Sequence, residues 1–79
     1  MTKNELVKIL QEEGFNPDAY CLEGGFPDET YCLEETHGVW TYYYCERGLQ
    51  RGKREFATES EACEYFLEKL RRDPDTRRL

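Results

Sequence analysis

Four cysteines and one histidine are the side chains with the most chemistry to offer in this 79-residue sequence. Cys21, Cys32, Cys45 and Cys63 are separated by 11, 13 and 18 positions, so no C-x-x-C pair of the kind that builds zinc sites is present. As free thiols they serve as small hydrophobes, wholly or partly buried. His37 lies in the turn pattern Thr36-His37-Gly38. A Cys–His nucleophile pair would need a thiol carried to that turn and a third group to orient the base. Turn polarity explains the histidine more simply. Glu34 and Glu35 are adjacent, and neighbours on a strand point to opposite faces, so they cannot flank one substrate. Gly24-Gly25 lacks the G-x-G-x-x-G context and the following helix that phosphate binding needs. The sequence therefore reads as non-catalytic, with no cofactor and no metal.

The other chemically suggestive run is Trp40-Thr41-Tyr42-Tyr43-Tyr44. Aromatic residues on a sheet stack bases in RNA-binding domains. Here 17 acids oppose 11 bases, a net charge of −6 that argues against nucleic acid as a partner. The charge is uneven. Residues 1–46 carry ten acids against Lys3 and Lys8, a balance of −8, whereas residues 47–79 carry nine bases and seven acids, a balance of +2. An acidic half steers basic surfaces toward itself, although the same charge also serves plain solubility. No apolar run is long enough for a membrane span or a signal peptide, so the expectation is a cytoplasmic protein with no membrane partner. Thiols in that compartment stay reduced.

The elements that position these residues can be read from periodicity. Thr2-Lys3-Asn4-Glu5 is a capping box, and Leu6, Ile9 and Leu10 follow at helical spacing until Gly14, which predicts a helix over 3–13. Strand-like runs at 18–23, 30–35, 39–46 and 53–57 are separated by Gly24 to Asp28, Thr36 to Gly38 and Arg47 to Gly52. Short breaks favour antiparallel hairpins. A second capping box at Thr58-Glu59-Ser60-Glu61 opens a helix along Cys63, Phe66, Leu67 and Leu70 to about Arg72. The fold class is α+β: a four-stranded antiparallel meander sheet with N- and C-terminal helices packed on one face, in the order α-β-β-β-β-α. Residues 1–73 make the single domain, and 74–79 are expected to be a frayed tail dispensable for folding.

Strand parity then assigns faces. Tyr20, Leu22, Tyr31, Leu33, Trp40, Tyr42, Tyr44 and Phe56 fall on one parity, the core side. The other parity is small, polar and acidic, and is expected to stay uncovered. On it Glu23, Glu34, Thr41 and Tyr43, bordered by Asp28 and Glu29 in the first hairpin loop, form the expected partner-binding surface, with Tyr43 as its exposed anchor. Cys21 and Cys32 are expected opposite one another across the first hairpin. An ordinary solvated sheet face, with contact made instead by a helix or by the Arg47 to Arg54 loop, is the alternative.

Several of these strings carry a resemblance to a known family. Glu13-Gly14-Phe15, Ala19-Tyr20-Cys21-Leu22 with Gly24-Gly25, and Tyr31-Cys32-Leu33-Glu34 are followed by the Trp40 to Tyr44 strand. Glu46-Arg47-Gly48, Glu55-Phe56 and Glu59-Ser60-Glu61-Ala62-Cys63-Glu64-Tyr65-Phe66 complete the set. Together they resemble small bacterial immunity proteins of polymorphic toxin systems, over most of residues 3–72. The resemblance implies a 1:1 complex in which the chain occludes the active site of a cognate toxin, with an NAD-degrading enzyme slightly favoured over a nuclease. It carries over no binding residue. A non-catalytic adaptor or regulatory subunit that binds a basic protein surface is the rival reading.

Overall fold

A computed structural model describes residues 1–23 and 28–77. The first helix, α1 (Lys3–Glu12), begins as its capping box requires: the Glu5 amide donates to Thr2 Oγ1 at 3.2 Å and the Thr2 amide to Glu5 Oε1 at 2.9 Å. It ends in a Schellman motif. Gly14 takes a left-handed φ of +76°, while the amides of Gly14 and Phe15 donate to Gln11 O and Leu10 O. Phe15 is thereby folded back into the core.

Four strands follow in spatial order: β1 (Tyr20–Cys21), β2 (Thr30–Thr36), β3 (Val39–Glu46) and β4 (Leu49–Phe56). Both long hairpins turn on two residues with positive φ, His37-Gly38 (52° and 82°) and Arg47-Gly48 (52° and 79°). Such turns match the twist of the strands they join. The expected six-residue break at 47–52 is thus shorter, and β4 starts at Leu49. What reads as a second turn glycine, Gly52 (φ +64°), sits in a bulge: Tyr42 pairs with Arg54 and Tyr44 with Arg51, so Gly52 and Lys53 together oppose Tyr43.

The sheet is mixed and open, not a purely antiparallel meander. β1 runs parallel to β2, pairing Tyr20 with Tyr31 and Cys21 with Cys32. The expected strand at 18–23 is cut short because Pro17–Ala19 is a 3₁₀ turn capped by Asn16, whose Oδ1 accepts from the Asp18 amide at 2.9 Å. A two-residue strand advances only about 7 Å, so the chain can return beside it without a helical crossover. The expected turn at Gly24 to Pro27 lies outside the described residues.

The final helix α2 (Glu59–Arg72) opens at Thr58, which accepts from the Glu61 amide. Glu61 Oε1 accepts from the Thr58 hydroxyl and not from its backbone amide, so only the Thr58 half of the expected second capping box forms. Both helices bury their apolar faces with Leu33 and Tyr42 of the sheet, around Leu6, Leu10, Phe15, Ala62, Cys63, Phe66, Leu67 and Leu70. Trp40, Tyr31, Phe56 and Tyr65 are only half-buried at the margin.

The tail reading is corrected for residues 74–77. Pro74–Arg77 is a 3₁₀ turn docked on the body. Thr76 is buried, with its hydroxyl 2.8 Å from Leu70 O and 2.6 Å from Asp73 O, and its carbonyl accepts from the Asn16 amide at 2.7 Å. Arg77 lies over the Phe15 ring and pairs with Glu13, which also holds Arg71. Three hydrogen bonds, one ion pair and one ring contact offset the entropy that a free tail would keep. Arg78 and Leu79 lie outside the described residues. Among the described residues, no helix is long and apolar enough to cross a membrane.

Candidate partner-binding groove

The face expected to be uncovered carries a small core of its own. Tyr43 is 0% exposed and packs with Cys32 and Cys45, both buried, and with Cys21 at their border. Thr30 and Thr41 are buried beside them. The expectations of an exposed Tyr43 anchor and an accessible Thr41 are therefore corrected. Thiols and threonine methyls are small and largely apolar, so a broad ring can lie across them and leave water. Burial is also the first cause that pushes the Tyr43 phenol up to about 12 and the Cys32 thiol up to about 12. No buried side-chain nitrogen or oxygen among the described residues lacks a hydrogen-bond partner.

The remaining expected residues are dispersed. Glu34 is half-buried across from Thr41, and Glu23 is exposed with Lys3 Nζ at 3.4 Å. Asp28 is exposed, but its Oδ1 accepts from the Arg47 amide at 2.7 Å, which joins the loop before β2 to the β3–β4 turn. Only Glu29 turns toward a concavity. Its φ of 51° is a left-handed conformation that a side chain adopts at some cost.

That concavity is a groove of about 380 Å³ where the Pro17–Ala19 turn, the start of β2, the end of β3 and the Pro74–Arg77 turn meet. Its wall holds four carboxylates, Asp18, Glu29, Asp73 and Asp75, and two phenols, Tyr31 and Tyr44. The two 3₁₀ turns are tied together by the Asn16 amide on Thr76 O. The Tyr31 hydroxyl donates to Asp73 Oδ2 at 2.8 Å, and Asp73 Oδ1 accepts from the Asp75 amide at 3.0 Å. The tyrosine rings meet edge to face, centroids 4.8 Å apart at 64°. Burial raises the Tyr44 phenol above its ordinary value, and Glu29, Glu46, Asp73 and Asp28 add to the rise. Burial and the Asp73 carboxylate do the same to Tyr31. The phenols thus stand in a negative field and remain neutral hydrogen-bonding groups at ordinary pH. Among the described residues, no Lys or Arg side chain reaches ion-pair distance of Asp18, Glu29 or Asp73.

Such a wall suits a guanidinium or ammonium group, which carboxylates bind by charge-assisted hydrogen bonds and phenol faces by cation–π contact. By strand parity Tyr31 and Tyr44 belong to the core side, and by sequence Asp73 and Asp75 lie beside or within the expected loose tail. The local signal at the tail was Asp73-Pro74-Asp75-Thr76, a turn pattern. Its docking beside residue 16 has no local signature. Among the described residues, no group of three or more His, Cys, Asp or Glu side chains is arranged to hold a metal ion. Among the described residues no disulfide joins the four cysteines, and His37 is exposed in its turn. No protein-family model, curated protein or solved structure matches the chain.

Proposed function

We infer that the chain is a non-catalytic binding protein whose acidic groove receives a basic side chain from the surface of a partner protein. The observation that carries this reading is the convergence of four carboxylates and two phenols on one groove of about 380 Å³. Fixed carboxylates favour cations over anions at close range, and tyrosines supply contact area at little entropic cost. The resemblance to immunity proteins, carried by the turn and aromatic strings, adds the partner's kind: a bacterial toxin, inhibited by occlusion of its active site. A basic residue in a toxin that binds NAD or a phosphodiester is a group this groove would take. An NAD-degrading toxin remains slightly favoured over a nuclease. A tight complex of standard size needs roughly 800 Å² per partner, which a surface of 5138 Å² can supply.

The test is a titration of the enzyme encoded beside this gene. Its activity is expected to fall to zero near one molar equivalent, with the enzyme chemically intact. The pair Asp18→Lys and Asp75→Lys should weaken binding at least tenfold, a loss of about 1.4 kcal/mol, while the folded spectrum is kept. Inactivation well below one equivalent, or covalent change on the enzyme, would refute a binding role. Full affinity in the double variant would remove the groove from the interface.

A further inference from the structure

A second surface of opposite sign lies where α2 meets the free edge of the sheet. β4 is the last strand in the order, so among the described residues no strand pairs with its outer side. Beside that edge, Trp40 and Phe56 are directly paired across the strands, and Phe56 meets Tyr65 of α2 with ring centroids 5.2 Å apart. All three rings are half-buried. Two cations converge on the same tyrosine: Arg54 Cζ lies 5.2 Å and Lys69 Nζ 5.4 Å from the Tyr65 ring centroid. Of the other nearby cations, Arg51 pairs with Glu46 and Arg72 with Glu68. Arg54 and Lys69 have no carboxylate in ion-pair range among the described residues.

Because neither cation has a carboxylate partner, a carboxylate placed beside either one is attracted without displacing an existing ion pair. Half-exposed tryptophan and tyrosine next to arginine is the composition of interface hot spots. The edge also presents Arg51, Lys53 and Arg54 in close succession. A second copy aligned antiparallel on β4 would set these cations against one another, so their sign rejects self-pairing while it recruits an acidic strand. We propose that this seam docks an extended, acidic segment of a protein partner, which adds along β4 and places carboxylates at Arg54 and Lys69. The surface shares no residue with the acidic groove, and it stands or falls independently of that reading.

The probe is an eight-residue capped peptide alternating glutamate and valine, titrated into the full chain and followed by amide NMR. Saturable shifts confined to 49–56 and the Tyr65 to Lys69 stretch are expected. Charge reversal at Arg54→Glu with Lys69→Glu should weaken binding at least tenfold, and the milder Lys69→Gln should weaken it in the same direction. Asp18→Lys with Asp75→Lys, the groove variant, should leave peptide binding intact. Equal binding by a serine–valine peptide, or no saturation at millimolar peptide, would overturn the proposal. So would displacement of the peptide by inorganic phosphate at equal concentration, which would mark a small-anion site instead. Concentration-dependent dimerisation through the same amides would assign the edge to a second copy and overturn it as well.

Discussion

Tyr43 lies among thiols on the sheet face turned away from the helices, and its burial changes what a substitution there should do. On an open face, truncation would cost partner affinity and leave the fold alone. With the ring 0% exposed against Cys32 and Cys45, truncation opens a cavity. Tyr43→Ala is expected to cost about 3–5 kcal/mol of folding stability, the range for deleting a buried aromatic side chain. Urea unfolding followed by circular dichroism measures it. A loss below about 1 kcal/mol would show that the small core can close around the missing ring.

At the scale of elements, the contact that most reorganises the expected architecture is the docking of the Pro74–Arg77 turn. It closes one end of the molecule, because Thr76 O fixes the amide at Asn16 and Glu13 holds both Arg71 and Arg77. It also forms one wall of the groove. Thr76→Val keeps the shape and removes the hydroxyl's bonds to Leu70 O and Asp73 O. One or two such bonds are worth about 1 kcal/mol each. Because 1 kcal/mol moves a domain of this size by roughly 4–8 °C, the melting temperature should fall by at least about 4 °C. An unchanged melting temperature would restore the frayed tail. The same docking makes a chain ending at Asp73 a poor surrogate for the full protein in binding work, since it lacks Asp75 and Thr76 of the groove.

For the whole molecule, the ionisable groups define a window of pH stability. Burial raises Cys63 to about 11, and Cys32, Tyr42 and Tyr43 to about 12. Each is neutral when protonated, and each titrates lower in the unfolded chain. Their contribution is therefore complete below the unfolded values near 9–10 and is lost as pH rises toward 11–12. On the acid side, hydrogen bonding from Arg71 holds the Glu13 carboxyl below its ordinary range. That contribution is present above the unfolded value, near 4.3, and is lost as pH falls through the lowered folded one. Urea midpoints should form a plateau from about pH 5 to 9, with an alkaline fall between 9 and 12 and a shallower acid fall. Glu13→Gln should flatten the acid limb alone. A midpoint at pH 11.5 equal to that at pH 8 would contradict the buried thiols and phenols.

Local patterns determined the pieces whose causes are local. The capping residues Thr2 and Thr58, the stop at Gly14, the turns at His37-Gly38 and Arg47-Gly48 and the period-two alternation of β3 each depend on a few neighbouring side chains. These are the features that short-range sterics and hydrogen bonding dictate. Parity also sorted the strand residues correctly onto two faces: Tyr20, Tyr31 and Tyr44 share one, and Cys21, Cys32 and Tyr43 the other. Only the tertiary structure decided what lies over each face. Alternation reports direction and is silent on cover, so the burial of Tyr43 and Thr41 had no trace in the pattern. The parallel pairing of β1 and the seating of Thr76 beside Asn16 are choices of the same kind. Each joins segments distant along the chain and is settled by closing the fold as a whole, and the acidic groove exists only because both were made.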